Sequence, residues 1–200
     1  GKTRLITTFL HRARKQGITT LTGWCLSNAA VPYFTRAREY ANVLRIGEKL
    51  DVFAELAQAS SRLAGFDDEG EGKLAENVSQ ALKGLEYCKK TDVDWIQGIL
   101  YATLARLYSK LGDLKHADEY FDKMSELSPE ILSHFLNINA VAECRGVYFA
   151  AKDRWEESNQ CFKELLEYSN TYPGQEITGR ANYAWALEKQ GKTEEARFQR

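Results

Sequence analysis

The residues with the clearest capacity for chemistry stand at the start of the chain. Gly1-Lys2-Thr3 leads into TRLITTFLHRARKQ, where Leu5, Ile6, Phe9, Leu10 and Ala13 fall on one side of a helix. Glycine, lysine and threonine ahead of a helix form the tail of the pattern G-x-x-x-x-G-K-[ST]. In such a loop the backbone N–H groups and the helix N-terminus hold phosphates, the lysine reaches the outer phosphates and the threonine hydroxyl supports magnesium. Hydrolysis also needs a buried strand that ends in an acidic magnesium ligand. The best downstream match, Asp67-Asp68, follows Leu63-Ala64-Gly65-Phe66, which is too short and too glycine-marked for that strand. Gly1, Lys2 and Thr3 are therefore expected to be vestigial nucleotide-binding residues. No catalytic residue, no metal site and no cofactor is expected in this chain, and no enzymatic activity.

Other reactive side chains are scattered. Cys25, Cys88, Cys144 and Cys161 form no C-x-x-C pair, and His11, His116 and His134 lie near none of them at ligand spacing. Reduced thiols in the cytoplasm are the expectation. No cysteine or serine has a base beside it in the pattern of a nucleophilic site. Glu156-Glu157 and Glu194-Glu195 begin helical stretches, where they complement the helix dipole. The acidic run Asp67-Asp68-Glu69-Gly70-Glu71-Gly72 lacks the alternating order of a calcium loop and reads as a solvated turn. Arg12-Ala13-Arg14-Lys15 has no interleaved aromatics, so a solvated helix face is expected there and no nucleic-acid contact.

The elements that must position any site divide the chain in two. The net charge of −1 conceals a basic start: residues 1–38 carry seven basic residues and no acid, which leaves 20 basic against 28 acidic residues in the remainder. After the first helix, Gly17 is a stop and Ile18 to Trp24 alternates like a strand; a second helix runs from Thr35 to about Leu50. From Asp51 strand signals vanish and helical stripes alternate with short turns. The stripes cover Val52 to Leu63, Leu74 to Cys88, Trp95 to Leu111, Leu114 to Leu127, Ile131 to Ala151, Trp155 to Tyr168, Ile177 to Gln190, and Thr193 onward. No run is long and apolar enough to span a membrane, and no secretory signal is visible. Because the chain opens with Gly1 and Met124 is its only methionine, a fragment or trimmed product is expected.

Within the second region one unit repeats. Tyr101, Leu104, Ala105 and Tyr108 share a face of one stripe, Gly112-Asp113 turns the chain, and Leu114, Ala117, Phe121 and Met124 share a face of the next, with Leu127 completing it and Pro129 stopping it. Setting GDLKHADEYF against DRWEESNQCF and GKTEEARFQR makes Gly112, Asp153 and Gly191 equivalent, 41 and 38 residues apart. Ala117, Ser158 and Ala196 then coincide, small residues that let two helices approach closely. Leu74, Val78, Ala81 and Leu85 suggest an earlier copy. A hairpin of this kind cannot bury its stripe alone and must stack on its neighbours.

These residues resemble the tetratricopeptide repeat family over about residues 52–200. The spacing exceeds the family's usual length of about 34 residues, and Ser158 and Thr193 replace its usual residues. The resemblance implies a mainly α fold: a right-handed solenoid of about four helical hairpins over 51–200, the last incomplete, preceded by a short helix–strand–helix P-loop remnant over 1–50. Residues 1–40, with GKTRL, Gly23-Trp24-Cys25 and Pro32-Tyr33-Phe34, look like the opening of STAND-type P-loop ATPases. That second resemblance implies an ATP-switched signalling or transcription regulator, with ATP and magnesium bound only by an intact parent protein. The tetratricopeptide resemblance implies a scaffold that binds a protein or peptide in the hollow lined by first helices. The residues expected to face it are Arg106, Ser109, Lys110, Asn182, Trp185 and Lys189, together with Ile99, Ala102, Thr178, Ala181 and Glu188. Neither nucleic acid nor membrane is an expected partner, and the oligomeric state is left open.

Overall fold

The structure, a computed structural model, describes residues 53–65, 71–91, 93–133, 138–169 and 176–199. Gly1, Lys2 and Thr3, the expected strand at 18–24 and the whole proposed P-loop segment lie outside the described residues. Among the described residues the chain is helical, and no strand occurs. In chain order the helices are α1 (Phe53–Ala64), α2 (Glu71–Cys88), α3 (Asp94–Leu111), α4 (Leu114–Ser125), α5 (Pro129–Leu132), α6 (Ile138–Ala151), α7 (Trp155–Ser169), α8 (Glu176–Lys189) and α9 (Thr193–Gln199).

Their packing follows from the hairpin pattern. Each of α1/α2, α3/α4, α6/α7 and α8/α9 is an antiparallel pair in contact, and the first helices touch in series, α1 on α3, α3 on α6 and α6 on α8. This is a helical repeat stacked in one direction. One core gathers α1 to α4 with Val141 and Cys144 of α6; a second gathers Val147 and Ala150 of α6 with Phe162, Leu165, Ala184, Leu187 and Ala196. Because α6 serves both cores it is apolar around most of its circumference. By contrast α4, an outer helix, buries only Ala117, Tyr120 and Met124.

The turns explain the register. Gly112 and Gly191 adopt φ of 76°, and Asp153 adopts φ of 58°, so all three aligned positions are left-handed. At each, the left-handed residue's N–H donates three residues back, and the next N–H donates five residues back: Gly112 to Ser109 and Asp113 to Tyr108, Asp153 to Ala150 and Arg154 to Phe149, Gly191 to Glu188 and Lys192 to Leu187. This is the Schellman ending, which satisfies the last carbonyls of the first helix. Four residues later Ala117, Ser158 and Ala196 donate to Asp113, Arg154 and Lys192 respectively, so the second helices begin in the same register. The Asp113 carboxylate caps α4 by accepting from the His116 N–H at 3.3 Å.

The small position in each second helix is fully buried: Ala117, Ser158 and Ala196 are each 0% exposed. The Ser158 hydroxyl donates to the Gly146 carbonyl at 2.8 Å, which accounts for serine where the other copies hold alanine. Gly146 is equally constrained, since a Cβ there would lie 2.6 Å from the Phe162 ring.

One expected helix was drawn too long. The stripe at 131–151 begins as a separate short helix, α5, with Pro129 in its first turn and the Ser128 hydroxyl accepting from the Ile131 N–H. Pro129 therefore starts an element, as its fixed φ and missing donor favour. Leu114, expected in the core, is 37% exposed at the mouth of α4.

Candidate partner-binding face

Two first helices, α3 and α8, with α6 between them in the stack, carry the residues expected to line a hollow, and the structure sorts them into two layers. Arg106, Ser109 and Asn182 are buried, with 4%, 3% and 1% exposure. They do not present free side chains, which corrects the expectation of an open row. The reason lies in their neighbours: Ala102 and Ala150 are small and buried, so the first helices approach closely and cover the polar groups between them.

The lower layer is a polar seam between α6 and α8. The Asn182 amide donates to Glu143 Oε2 at 3.1 Å, and the Thr178 hydroxyl donates to Glu143 Oε1 at 2.7 Å. Asn182 Oδ1 is shielded and has no hydrogen-bond partner. The Ser109 hydroxyl turns back to the Ala105 carbonyl at 2.7 Å, within its own helix. Glu143 is the residue that the sequence reading omitted. The 41-residue offset that equates Gly112 with Asp153 sets Glu143 against Ala102, and a carboxylate facing an alanine position was the available signal.

The upper layer is built on Trp185. Its ring is half-buried, with the Lys189 ammonium 5.7 Å and the Lys110 ammonium 6.0 Å from its centroid. Lys189 lies one turn along α8, whereas Lys110 comes from α3, two first helices away. The α6 residue in register with Lys110 is Ala151, short enough to leave the approach open. Long side chains from two non-adjacent first helices thus approach each other at this end. A flat aromatic face bordered by two ammonium groups suits an apolar side chain next to a carboxylate.

The thiols of the described residues are shaped by burial. Burial pushes the Cys144 thiol up to about 12 and the Cys88 thiol up to about 11, so neither supplies thiolate near neutrality. The Cys161 thiol is also raised, chiefly by burial. No group of three His, Cys, Asp or Glu side chains among the described residues is placed to hold a metal ion. No described helix is long and apolar enough to cross a membrane.

Comparison with known proteins agrees with this architecture at its best-formed unit. No curated protein and no solved structure matches the chain. Residues 99–131 match the tetratricopeptide repeat family, a span that takes in most of α3, all of α4 and the start of α5, and the hairpins on the C-terminal side repeat the turn geometry of that unit.

Proposed function

We propose that the stacked hairpins act as a protein-binding scaffold whose inner face captures a partner polypeptide at Trp185. The observation that carries this reading is the half-buried indole held between Lys110 and Lys189, contributed by two helices that are not neighbours in the stack. The partner segment presents an apolar side chain to the indole and a carboxylate to the two lysines. Arg106, Ser109 and Asn182 serve from beneath, by fixing the spacing of the first helices, and Glu143 joins α6 to α8 in the same layer. The protein works in the cytoplasm, in keeping with the free thiols of Cys88, Cys144 and Cys161.

The test is a set of substitutions confined to the upper layer. Trp185→Ala combined with Lys110→Glu and Lys189→Glu is expected to weaken partner capture at least tenfold while leaving helical content and the unfolding midpoint little changed. Unchanged capture by this variant contradicts the proposal.

A second reading rests on Gly1-Lys2-Thr3 and the basic helix that follows. On that reading the scaffold senses its partner for an ATP-dependent signalling or transcription regulator. A labelled ATP analogue is expected not to bind this chain; saturable binding lost in Lys2→Ala would mean that the site is functional here.

A further inference from the structure

The shared geometry of the turns fixes which positions of the first helices stand side by side. Two residues before Gly112, Asp153 and Gly191 come Lys110 of α3, Ala151 of α6 and Lys189 of α8. One helical turn earlier the series reads Arg106, Val147 and Trp185. Because α6 packs against both α3 and α8, Ala151 is the middle position of a lysine–alanine–lysine row.

Packed helices stand about 8–10 Å apart, so α3 and α8 are separated by about twice that distance across α6. The Lys110 ammonium nevertheless lies 6.0 Å from the Trp185 centroid, and the Lys189 ammonium 5.7 Å from it. Lys110 and the indole therefore extend towards each other over α6. The ring packs on the second core, in which Val147 is 0% exposed. Ala151, the last residue of α6, is only half-buried. Its single methyl group leaves space between the two ammonium groups that any longer side chain at 151 would enter.

We infer that Ala151 is the specificity-determining residue of the partner site, with the space above its methyl group taking the partner's carboxylate. The inference rests on the reading of Trp185 as that site, and it assigns the carboxylate a place within it. Two ammonium groups from separate helices flank that place beside an apolar floor of Val147 and the indole. Hydrogen bonds from ammonium to carboxylate are strengthened where water is partly excluded. Each ammonium has three N–H donors, so both can serve one carboxylate along with other acceptors. A neutral amide of the same shape gains much less from the pair. A glutamate at 151 would be a carboxylate supplied by the chain itself, held between the same lysines and competing with the partner's.

The test uses the full chain carrying Ala151→Glu, with the introduced carboxylate followed by ¹³C NMR as pH is varied. It is expected to titrate at about 3.8 or lower, against an ordinary glutamate value of about 4.3, and to lose that shift when Lys110→Gln and Lys189→Gln are added. The end of a helix alone would raise the value, so a lowered one reports the lysines. The second readout is the Trp185 indole N–H resonance during titration with acetyl-Leu-Asp-N-methylamide to millimolar concentration. Saturable movement is expected for the parent and for Ala151→Ser. Binding is expected to be at least tenfold weaker when asparagine replaces the aspartate of the probe, and at least tenfold weaker for Ala151→Glu. Ala151→Gln, equal in length but uncharged, is expected to lose less. An introduced carboxylate that titrates at the ordinary value, or one indifferent to both lysines, would overturn the inference. A lowered value with no response of the parent to the probe would overturn the reading of Trp185 as the partner site, and the specificity assignment with it.

Discussion

At the scale of single residues, close helix approach is enforced by positions where even one carbon does not fit. An alanine at Gly146 would put a methyl group 2.6 Å from ring carbons of Phe162, a side chain with 0% exposure and no free space to retreat into. Overpacking of this kind costs about 1–3 kcal/mol, and the better helix propensity of alanine returns about 1 kcal/mol. Gly146→Ala is therefore expected to be destabilising by up to about 2 kcal/mol, seen as a lower denaturation midpoint with an unchanged slope. A midpoint equal to or above that of the parent would show that α6 and α7 pack less tightly than described. The residue scale was also the least legible in the sequence. Arg106, Ser109 and Asn182 are residue types suited to a binding surface. What periodicity does not specify is the distance between neighbouring helices, and that distance decides that all three are covered. Lys110, Trp185 and Lys189, longer or nearer the helix ends, stay within reach of the surface.

At the scale of elements, the turn between paired helices sets the repeat, and its third copy is built from a less suitable residue. Asp153 holds a left-handed backbone where Gly112 and Gly191 hold the same shape without a Cβ. Asp153→Gly is expected to raise the melting temperature by about 1–2 °C, for a gain near 0.5 kcal/mol. A fall instead would mean that the aspartate side chain contributes more than its backbone conformation costs.

Between hairpins, α4 and α6 are joined by a polar clasp over stacked rings. Phe121 lies on Tyr148 with centroids 3.9 Å apart, the Tyr148 hydroxyl donates to Asp118 at 2.8 Å, and Lys152 pairs with the same carboxylate at 2.6 Å. The hydrogen bond from Lys152 holds the Asp118 carboxyl below the ordinary carboxylate value, and the same bond holds Lys152 above the ordinary lysine value. A depressed carboxyl contributes stability above its unfolded value and loses it as pH falls through the folded one. A raised lysine contributes below its unfolded value and loses it as pH rises through the folded one. Asp118→Asn is expected to cost about 0.5–1 kcal/mol at pH 7, a figure kept small because the pair is partly solvated. The difference from the parent should shrink as pH falls below about 4 and through the lower folded value of Asp118, and again as pH rises above about 10.5 and through the higher folded value of Lys152. A difference that does not shrink in acid would assign the effect to packing.

Elements were the most legible level. Helix boundaries read from apolar stripes agree with the structure to within a residue or two for α1, α3 and α7 to α9; Gly65, Gly112 and Gly191 mark the ends of α1, α3 and α8, and the acids Glu156 and Glu194 mark the starts of α7 and α9. The exception is the stripe at 131–151. Its apolar spacing runs on past Leu132, so periodicity alone gave no break, and the capping signal of Ser128 ahead of Pro129 was the sign of a separate short helix.

At the scale of the whole molecule, the recurrence of Gly112, Asp153 and Gly191 was enough to imply stacking, since hairpins with one apolar stripe each have no other way to bury it. The degree of curvature was not implied. What the structure adds is the approach of Lys110 to Trp185 across an intervening helix, which gathers side chains of α3 and α8 about one indole. At the second junction the inserted α5 leaves α3 and α6 in contact, with Val141 and Cys144 of α6 inside the first core.

The claim that this converging face is where a partner binds is tested most directly by site-specific photo-crosslinking. A benzophenone amino acid would replace Trp185 in the full chain and, as a control, Glu86 on the exposed side of α2. The account predicts a discrete crosslinked polypeptide from position 185, suppressed by Lys110→Glu with Lys189→Glu and absent from position 86. Equal crosslinking from both positions, or a product from 185 indifferent to the two lysines, would contradict it.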